Sequence, residues 1–75
     1  MVVKPIVGGP FTITVKASDT IRLVKKIIQA ANHVPPEKQK LYLNTTELED
    51  DKTLSDHNVR NGYTLRLEFP WQNMQ

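Results

Sequence analysis

Two hydrophobic periods run along the chain, and together they predict one helix among several strands. In the stretch 64–69, Leu65 and Leu67 alternate with polar residues, which is the two-residue period of a strand with one buried face. Residues 11–16 and 40–43 alternate in the same way, with Phe11, Ile13, Val15, Leu41 and Leu43 on the side predicted to be buried. Residues 1–4 are also extended in character, and the Gly- and Pro-rich link to residue 11 predicts a hairpin.

Residues 21–31 follow a helical period instead. Apolar residues recur there at steps of three and four, and Thr20 stands where it can cap the first turn. Val34-Pro35-Pro36 prevents the helix from continuing, and Asn32-His33 provides the reversal. The predicted buried positions are Ile21, Val24, Ile28 and Ala31, and the predicted solvent-facing positions are Arg22, Lys25, Lys26 and Gln29.

The segment between residues 44 and 62 is predicted to be an ordered connection. Glu47-Leu48 reads as a brief edge strand, and a short helix is predicted near 54–59. Asn44, Asn58 and Gly62 are residue types that tolerate a positive φ where the chain must reverse. Leu48, Leu54 and Val59 are predicted to join Leu65 and Leu67 in a core covered by Ile21, Val24 and Ile28.

Composition narrows the class of protein without pointing to a reaction. Seventy-five residues make one domain, whose aliphatic residues are nearly all needed for its core. The formal charge of +2 is mild, so nucleic acid is permitted but not indicated. The chain has no cysteine, no apolar run of membrane-spanning length and no signal-peptide pattern. We therefore expect an intracellular monomer of the cytoplasm or nucleus that does not insert into a membrane.

The residues that carry catalytic or metal chemistry elsewhere are not arranged for it here. His33 and His57 lack partners at ligand spacing, and the acidic residues near 50–56 do not follow a calcium-loop pattern. Ser55, Asp56 and His57 are adjacent in the chain, which prevents the geometry of a catalytic triad. We expect no catalytic residue, no metal and no cofactor.

Five motifs stand at fixed spacings along the chain: Ser18-Asp19-Thr20-Ile21, Val34-Pro35-Pro36, Gln39-Lys40-Leu41, Leu48-Glu49-Asp50 and Leu54-Ser55-Asp56-His57-Asn58-Val59. Together they resemble ubiquitin, without gaps from Ser18 to Phe69. The resemblance implies an α+β protein with the ubiquitin-like β-grasp fold: a four-to-five-stranded mixed sheet packed on one main helix, plus a short helix near 54–59. It also implies a domain over residues 1–69 and a tail or linker over 70–75, where we expect Trp71 to be mobile.

Departures from the family pattern imply a domain that is not conjugated. The family's terminal glycine pair falls on Asn73 and Met74, and Pro70-Trp71 replaces the basic residues before it. The lysines most used for chain building fall on Thr46 and Asn61, although Lys4 and Lys25 keep two lesser positions. His57 stands where the family has a tyrosine that hydrogen-bonds the preceding loop, which implies a structural role.

The family's recognition patch falls on Ile6, Tyr42 and Glu68, with Arg66 at the neighbouring position. Lys4 and Lys40 complete a predicted partner-binding surface on the open face of the sheet. This basic and aromatic cluster suits an acidic peptide or single-stranded nucleic acid, and its small size favours acidic proteins. Glu68 places a charge where a partner would desolvate an aliphatic side chain.

The sequence therefore predicts a protein-interaction module of a larger protein that links its parent to the ubiquitin–proteasome machinery. The predicted partners are proteasome subunits, acidic ubiquitin-interacting helices or ubiquitin-pathway enzymes. The alternative is a ubiquitin-like scaffold module outside degradation, for example in an RNA-associated complex.

Overall fold

The structure is a computed structural model, which describes residues 1–6, 8–60 and 62–69. The predicted tail over 70–75, including Trp71, and the positions Asn73 and Met74 lie outside the described residues. In chain order the elements are β1 (Val2–Pro5), β2 (Phe11–Thr12), α1 (Ile21–Asn32), β3 (Lys40–Leu43), β4 (Thr46–Glu47) and β5 (Thr64–Glu68), with 3-10 turns at Pro36–Lys38 and Ser55–His57.

The five strands form one mixed sheet in the order β2-β1-β5-β3-β4. β1 and β5 are parallel, and the other neighbouring strands are antiparallel. The strand with the clearest alternation in the sequence, β5, is therefore the central one. This confirms the predicted α+β fold with a mixed sheet, one main helix and a short helical turn within 54–59.

The core lies between one face of the sheet and α1. The predicted anchors are all buried, with exposed fractions between 0% and 4%: Leu48, Leu54, Val59, Leu65 and Leu67 from the later half of the chain, and Ile21, Val24 and Ile28 from the helix. Val3, Ile13 and Leu41 complete the buried cluster. Burial of this kind contributes roughly 25 cal/mol per Å² of apolar surface and is the main stabilising term in so small a domain.

The ends of α1 agree with the sequence signals. Thr20 Oγ1 accepts the Leu23 N–H at 3.2 Å, as expected of an N-cap. At the other end His33 adopts a left-handed conformation with φ 66°, and its N–H donates to the Gln29 carbonyl. The reversal predicted at Asn32-His33 is confirmed.

Two positions of the helix were predicted wrongly. Ala31 is exposed, and Lys25 is only 6% exposed although it was expected to face solvent. The Lys25 ammonium donates to Asp50 Oδ1 at 2.6 Å, and this ion pair allows a charged side chain to be buried. Asp50 lies 25 residues further along the chain, so the spacing of apolar residues within the helix does not indicate this ion pair.

A second buried polar residue, Gln39, holds the segment that follows the helix. Its side-chain amide donates to the carbonyls of Lys25 and Val34, both at 2.9 Å. With two carbonyls as neighbours, the nitrogen position of the amide is fixed. Gln39 therefore joins the middle of α1 to the proline segment that ends it.

The first hairpin is shorter than predicted, because its second strand comprises only Phe11–Thr12 instead of 11–16. Pairing continues one step further through bonds between Met1 and Ile13 in both directions. Beyond Ile13 the chain leaves the ladder and approaches the second 3-10 turn, where the Ala17 carbonyl accepts the Ser55 N–H at 3.0 Å. Ile13 is nevertheless buried, as its alternation predicted.

The long connection between β3 and β5 is ordered by left-handed residues at the predicted places. Asn44, Asn58 and Gly62 have φ values of 58°, 59° and 87°. Leu48 and Leu54 then place the connection against the core. A glycine is the least strained residue at such a φ, and asparagine is the next best tolerated.

Candidate protein-binding surface

The residues predicted to bind partners lie on neighbouring strands, in positions that alternate with the core. Strand register pairs Lys4 with Arg66 and Arg66 with Tyr42, so these three residues form one row across β1, β5 and β3. Lys40 pairs with Glu68 in the next row. Because directly paired residues share a face of a sheet, the register brings these five side chains to one surface. We call the surface formed by Lys4, Ile6, Lys40, Tyr42, Arg66 and Glu68 the open face.

Arg66 is the centre of the open face and contacts two of its members. Its guanidinium carbon lies 4.8 Å from the centroid of the Tyr42 ring, a cation–π arrangement. Its Nε is 3.1 Å from Glu68 Oε2. Tyr42 is half-buried rather than fully exposed, and Arg66 lies over its ring. Both contacts lie within the open face itself.

Ile6 supplies the apolar part of the open face. It is 47% exposed, and it follows directly after the end of β1. A shallow groove of about 300 Å³ runs beside it, lined by Lys4, Pro5, Ile6, Asn44, Thr64 and Arg66. The groove has apolar walls from Pro5 and Ile6 and a basic rim from Lys4 and Arg66. The groove thus combines apolar walls with positive charge.

Glu47 was missed by the sequence interpretation although it belongs to the same row. It is exposed, and it pairs with Tyr42 across β3 and β4. The pairing of Glu47 with Tyr42 could have been predicted from the sequence, because the tight turn at Asn44 fixes which residues of the two strands face one another. With Glu47 included, the surface is basic on the side of Lys4 and Arg66 and acidic at the β4 edge.

The histidine and acidic residues of the second 3-10 turn make contacts that stabilise the loop. His57 Nε2 accepts the Glu49 N–H at 3.0 Å, which confirms the structural role implied for it. Asp56 Oδ2 accepts the Thr53 N–H at 3.0 Å, and Thr53 Oγ1 accepts the Asp56 N–H at 3.1 Å. Ser55 Oγ is 3.1 Å from Thr53 Oγ1. Each side chain is thus engaged with the loop and not with its neighbours as a triad.

Contacts within this turn also affect the titration of Asp56. The Thr53 backbone N–H, and after it the Thr53 hydroxyl, hold the pKa of the Asp56 carboxyl below its ordinary value. The charged carboxylate is the better acceptor, so the two bonds favour ionisation. This is a turn-stabilising contact on a fully exposed side chain.

The described residues contain no cluster of three or more His, Cys, Asp or Glu side chains that could hold a metal ion. Within the same ranges, none of the helical segments has the length and apolar character needed to cross a bilayer.

Comparison with known proteins agrees with the observed fold. The chain matches the Ubiquitin family over residues 2–69. It is 36% identical over 60 residues to ubiquitin D of Rattus norvegicus, covering 80% of this chain and 37% of that protein. It is 28% identical over 65 residues to ubiquitin-like protein NEDD8 of Dictyostelium discoideum, covering 87% and 84%. A 65-residue match to AN1-type zinc finger protein 4 of Mus musculus, 35% identical, covers 87% of this chain and 9% of that protein.

A mixed five-stranded sheet that grips one helix defines the ubiquitin-like β-grasp class. The chain belongs to the ubiquitin family. It spans little more than a third of ubiquitin D and most of the NEDD8 protein.

Proposed function

We propose that this chain is a protein-interaction module that binds acidic partner helices through the open face and is not itself conjugated. The observation that carries the proposal is the row Lys4–Arg66–Tyr42 beside exposed Ile6, in which Arg66 is already oriented over the Tyr42 ring. An oriented arginine and an aromatic ring are the residue types that dominate binding energy in small interfaces. We further propose that the module belongs to a larger intracellular protein and serves the ubiquitin–proteasome machinery.

The charges of the open face favour acidic helices over a purely apolar partner. Lys4 and Arg66 line one side of the groove next to Ile6, so a helix with an apolar residue and a carboxylate one turn apart suits both parts of the groove. A wholly apolar pocket would desolvate the Arg66–Glu68 pair without replacing its hydrogen bonds, which is costly. Partner choice on this surface is therefore a matter of charge as well as apolar contact.

The same charges disfavour single-stranded nucleic acid as the ligand. Glu47 and Glu68 lie in the rows that contain Tyr42, Arg66 and Lys40. Binding of a phosphate backbone needs a continuous positive groove beside stacking aromatic rings. The acidic side chains interrupt such a groove, which supports a protein partner.

An amide-shift titration of the ¹⁵N-labelled chain tests the proposal. One ligand is an acidic ubiquitin-interacting helix and the other is a three-helix ubiquitin-associated domain. We expect shifts at Lys4, Ile6, Tyr42, Arg66 and Glu68, with tighter binding of the acidic helix. Shifts confined to residues 22–31 would remove the open face from consideration.

Two substitutions and one matched control sharpen the titration. Tyr42→Ala removes the ring under Arg66 and should weaken helix binding at least about fivefold. Tyr63→Ala removes an exposed tyrosine outside the open face and should leave binding unchanged. Glu68→Val restores an aliphatic side chain and should strengthen binding of the ubiquitin-associated domain relative to the helix. Equal affinities for the first two variants would contradict the proposal.

The absence of conjugation is tested separately, with a ubiquitin-family activating enzyme and ATP. The proposal rests on Asn73 and Met74 at the positions of the family's glycine pair. We expect no thioester with this chain under conditions that charge ubiquitin. A reductant-sensitive adduct of the enzyme with this chain would contradict this part of the proposal.

A further inference from the structure

The solvent side of α1 carries a second apolar row beside the fully buried one. Leu23, Ile27 and Ala30 follow one another at steps of four and three residues, which places them along one face of the helix. Leu23 is 42% exposed, Ile27 is half-buried and Ala30 is exposed. Ile27 also packs against the core cluster, so Leu23 and Ala30 supply most of the accessible surface of this row. We call Leu23, Ile27 and Ala30 the outer row.

The outer row has a basic side chain beside it and no acidic one on the same helix. Lys26 lies three residues after Leu23 and is exposed, and no carboxylate of the described residues lies within 4.0 Å of it. The other two cations of α1 are occupied, because Arg22 pairs with Asp51 and Lys25 pairs with Asp50. Residues 21–32 include no aspartate or glutamate. The outer row is thus an apolar strip flanked by one uncompensated positive charge.

We propose that the outer row with Lys26 is a second interaction surface, which binds an acidic amphipathic helix of a partner protein. Leu23 and Ile27 provide apolar contact, and the small side chain of Ala30 lets a second helix backbone approach closely. A carboxylate on the partner pairs with Lys26, the cation of α1 that has no acidic partner among the described residues. The occupant follows from this complementarity of charge.

Two other occupants fit the surface less well. A second copy of the chain, docked by two-fold symmetry along the outer row, would bring the two Lys26 ammonium groups together, because residue 26 is at the middle of the row. A phosphate-bearing ligand needs several free cations. Here Arg22 and Lys25 are already paired with aspartates, which leaves Lys26 as the cation of α1 without an acidic partner among the described residues. An acidic helix is the occupant that meets both the apolar and the charged part.

The outer row and the open face lie on different sides of the domain. α1 covers the buried face of the sheet, and the open face lies on the sheet's other side. A ligand on the outer row therefore does not compete with a ligand on the open face. The domain would join two partners at once and would serve as a bridge as well as a recognition module.

A peptide titration of the full ¹⁵N-labelled chain in a Tyr42→Ala background tests the second surface with the open face weakened. The probe is a synthetic helix of about 14 residues with leucines at helical spacing and glutamates elsewhere, and its control replaces every glutamate by lysine. We expect the acidic peptide to shift amides of residues 22–31, and the lysine peptide to have no effect. Thermal unfolding of each variant verifies that it is folded.

Matched variants of α1 identify the residues responsible. Leu23→Gln keeps length and helix propensity but removes the apolar surface, and Lys26→Glu reverses the free charge. Each of these two substitutions should weaken binding of the acidic peptide at least about fivefold. Gln29→Ala, on the same helix but outside the row, and Lys38→Glu, the same charge change in the first 3-10 turn, should leave the affinity within twofold.

Three results would overturn the inference. The first is that the acidic peptide shifts only amides of the open face, or shifts no amides in the Tyr42→Ala background. The second is equal binding of the acidic and the lysine peptide. The third is self-association of the free chain that Leu23→Gln abolishes, since this would make a second copy the occupant.

Discussion

The two faces of the sheet are made by the same strands, yet one is closed by the core and the other is accessible to solvent. On the buried face, Val3, Leu41, Leu65 and Leu67 are all 0% exposed. On the open face, their sequence neighbours include charged and aromatic residues that remain at least partly accessible. Alternation along a strand thus separates a buried surface from an accessible one at intervals of one residue. The surface proposed above for recognition is therefore made of side chains that the core does not include.

The loop after β4 shows the same contrast between two neighbouring acids. Asp50 pairs with Lys25, whose side chain is 7% exposed, whereas Asp51 pairs with Arg22, whose side chain is 54% exposed. The two pairs look alike in sequence. Their energetic weight differs because only one of them leaves a buried charge behind when it is broken. The burial of the cation, rather than the types of residue in the pair, determines how strongly each pair affects stability.

The largest expected effect is at the buried face. Leu67→Ala should lower the free energy of unfolding by about 2–5 kcal/mol, because it opens a cavity under the central strand pair. Glu68→Gln, the next residue on the open face, should change it by less than about 1 kcal/mol. Chemical denaturation of the two variants measures the difference. Equal midpoints would contradict the assignment of the two faces.

The second expected effect compares the two acids. Asp50→Asn should lower the free energy of unfolding by about 1–3 kcal/mol, since it leaves the Lys25 ammonium buried without its counter-charge. Asp51→Asn should cost less than about 1 kcal/mol, because both partners of that pair are in solvent. The same denaturation assay orders the two variants. A larger loss for Asp51→Asn would show that Lys25 does not depend on Asp50.

The third expected effect concerns the acceptor at His57. His57→Phe removes the atom that accepts the Glu49 N–H and should cost about 1 kcal/mol. His57→Tyr restores a ring with a polar tip, as the family resemblance implies, and should cost less. Thermal unfolding at neutral pH separates the two. Identical melting temperatures would mean that the bond contributes nothing net.

The smallest expected effect is the pH dependence contributed by fully exposed Asp56. Since its pKa is lowered in the folded chain, its contribution to stability is complete above the unfolded value of about 3.9 and is lost as pH falls through the lower folded value. Asp56→Asn cannot titrate. The stability difference between the two proteins should therefore narrow below about pH 4. A difference that stays constant down to acid unfolding would contradict the contact with Thr53.

Local signals allowed most of the fold to be predicted from the sequence. The end of α1 follows from Val34-Pro35-Pro36, and the strand β5 follows from alternation alone. Lys25 could not be placed, because its burial depends on Asp50 from a loop far away in sequence. The length of β2 was overestimated, because alternation continues past the point where the strand loses its partner.

The open face was assembled by alternation together with the family register, and the structure adds what neither contained. The stacking of Arg66 on Tyr42 and its contact with Glu68 depend on side-chain orientation across two strands. The outer row was overlooked because Leu23 and Ile27 lie among residues already assigned to a solvated face. The 42% exposure of Leu23 became evident only in the structure, where Ile27 packs against the core cluster.

One pair of neighbouring substitutions tests the division of the sheet most directly. Leu65→Ala and Arg66→Ala alter adjacent residues on opposite faces, and each variant is measured for both its denaturation midpoint and its affinity for the acidic helix. We expect Leu65→Ala to lower the denaturation midpoint strongly. Arg66→Ala should keep the midpoint near that of the parent chain and should weaken binding of the acidic helix at least about fivefold. An Arg66→Ala variant that is as unstable as Leu65→Ala, or that binds like the parent, would contradict the account.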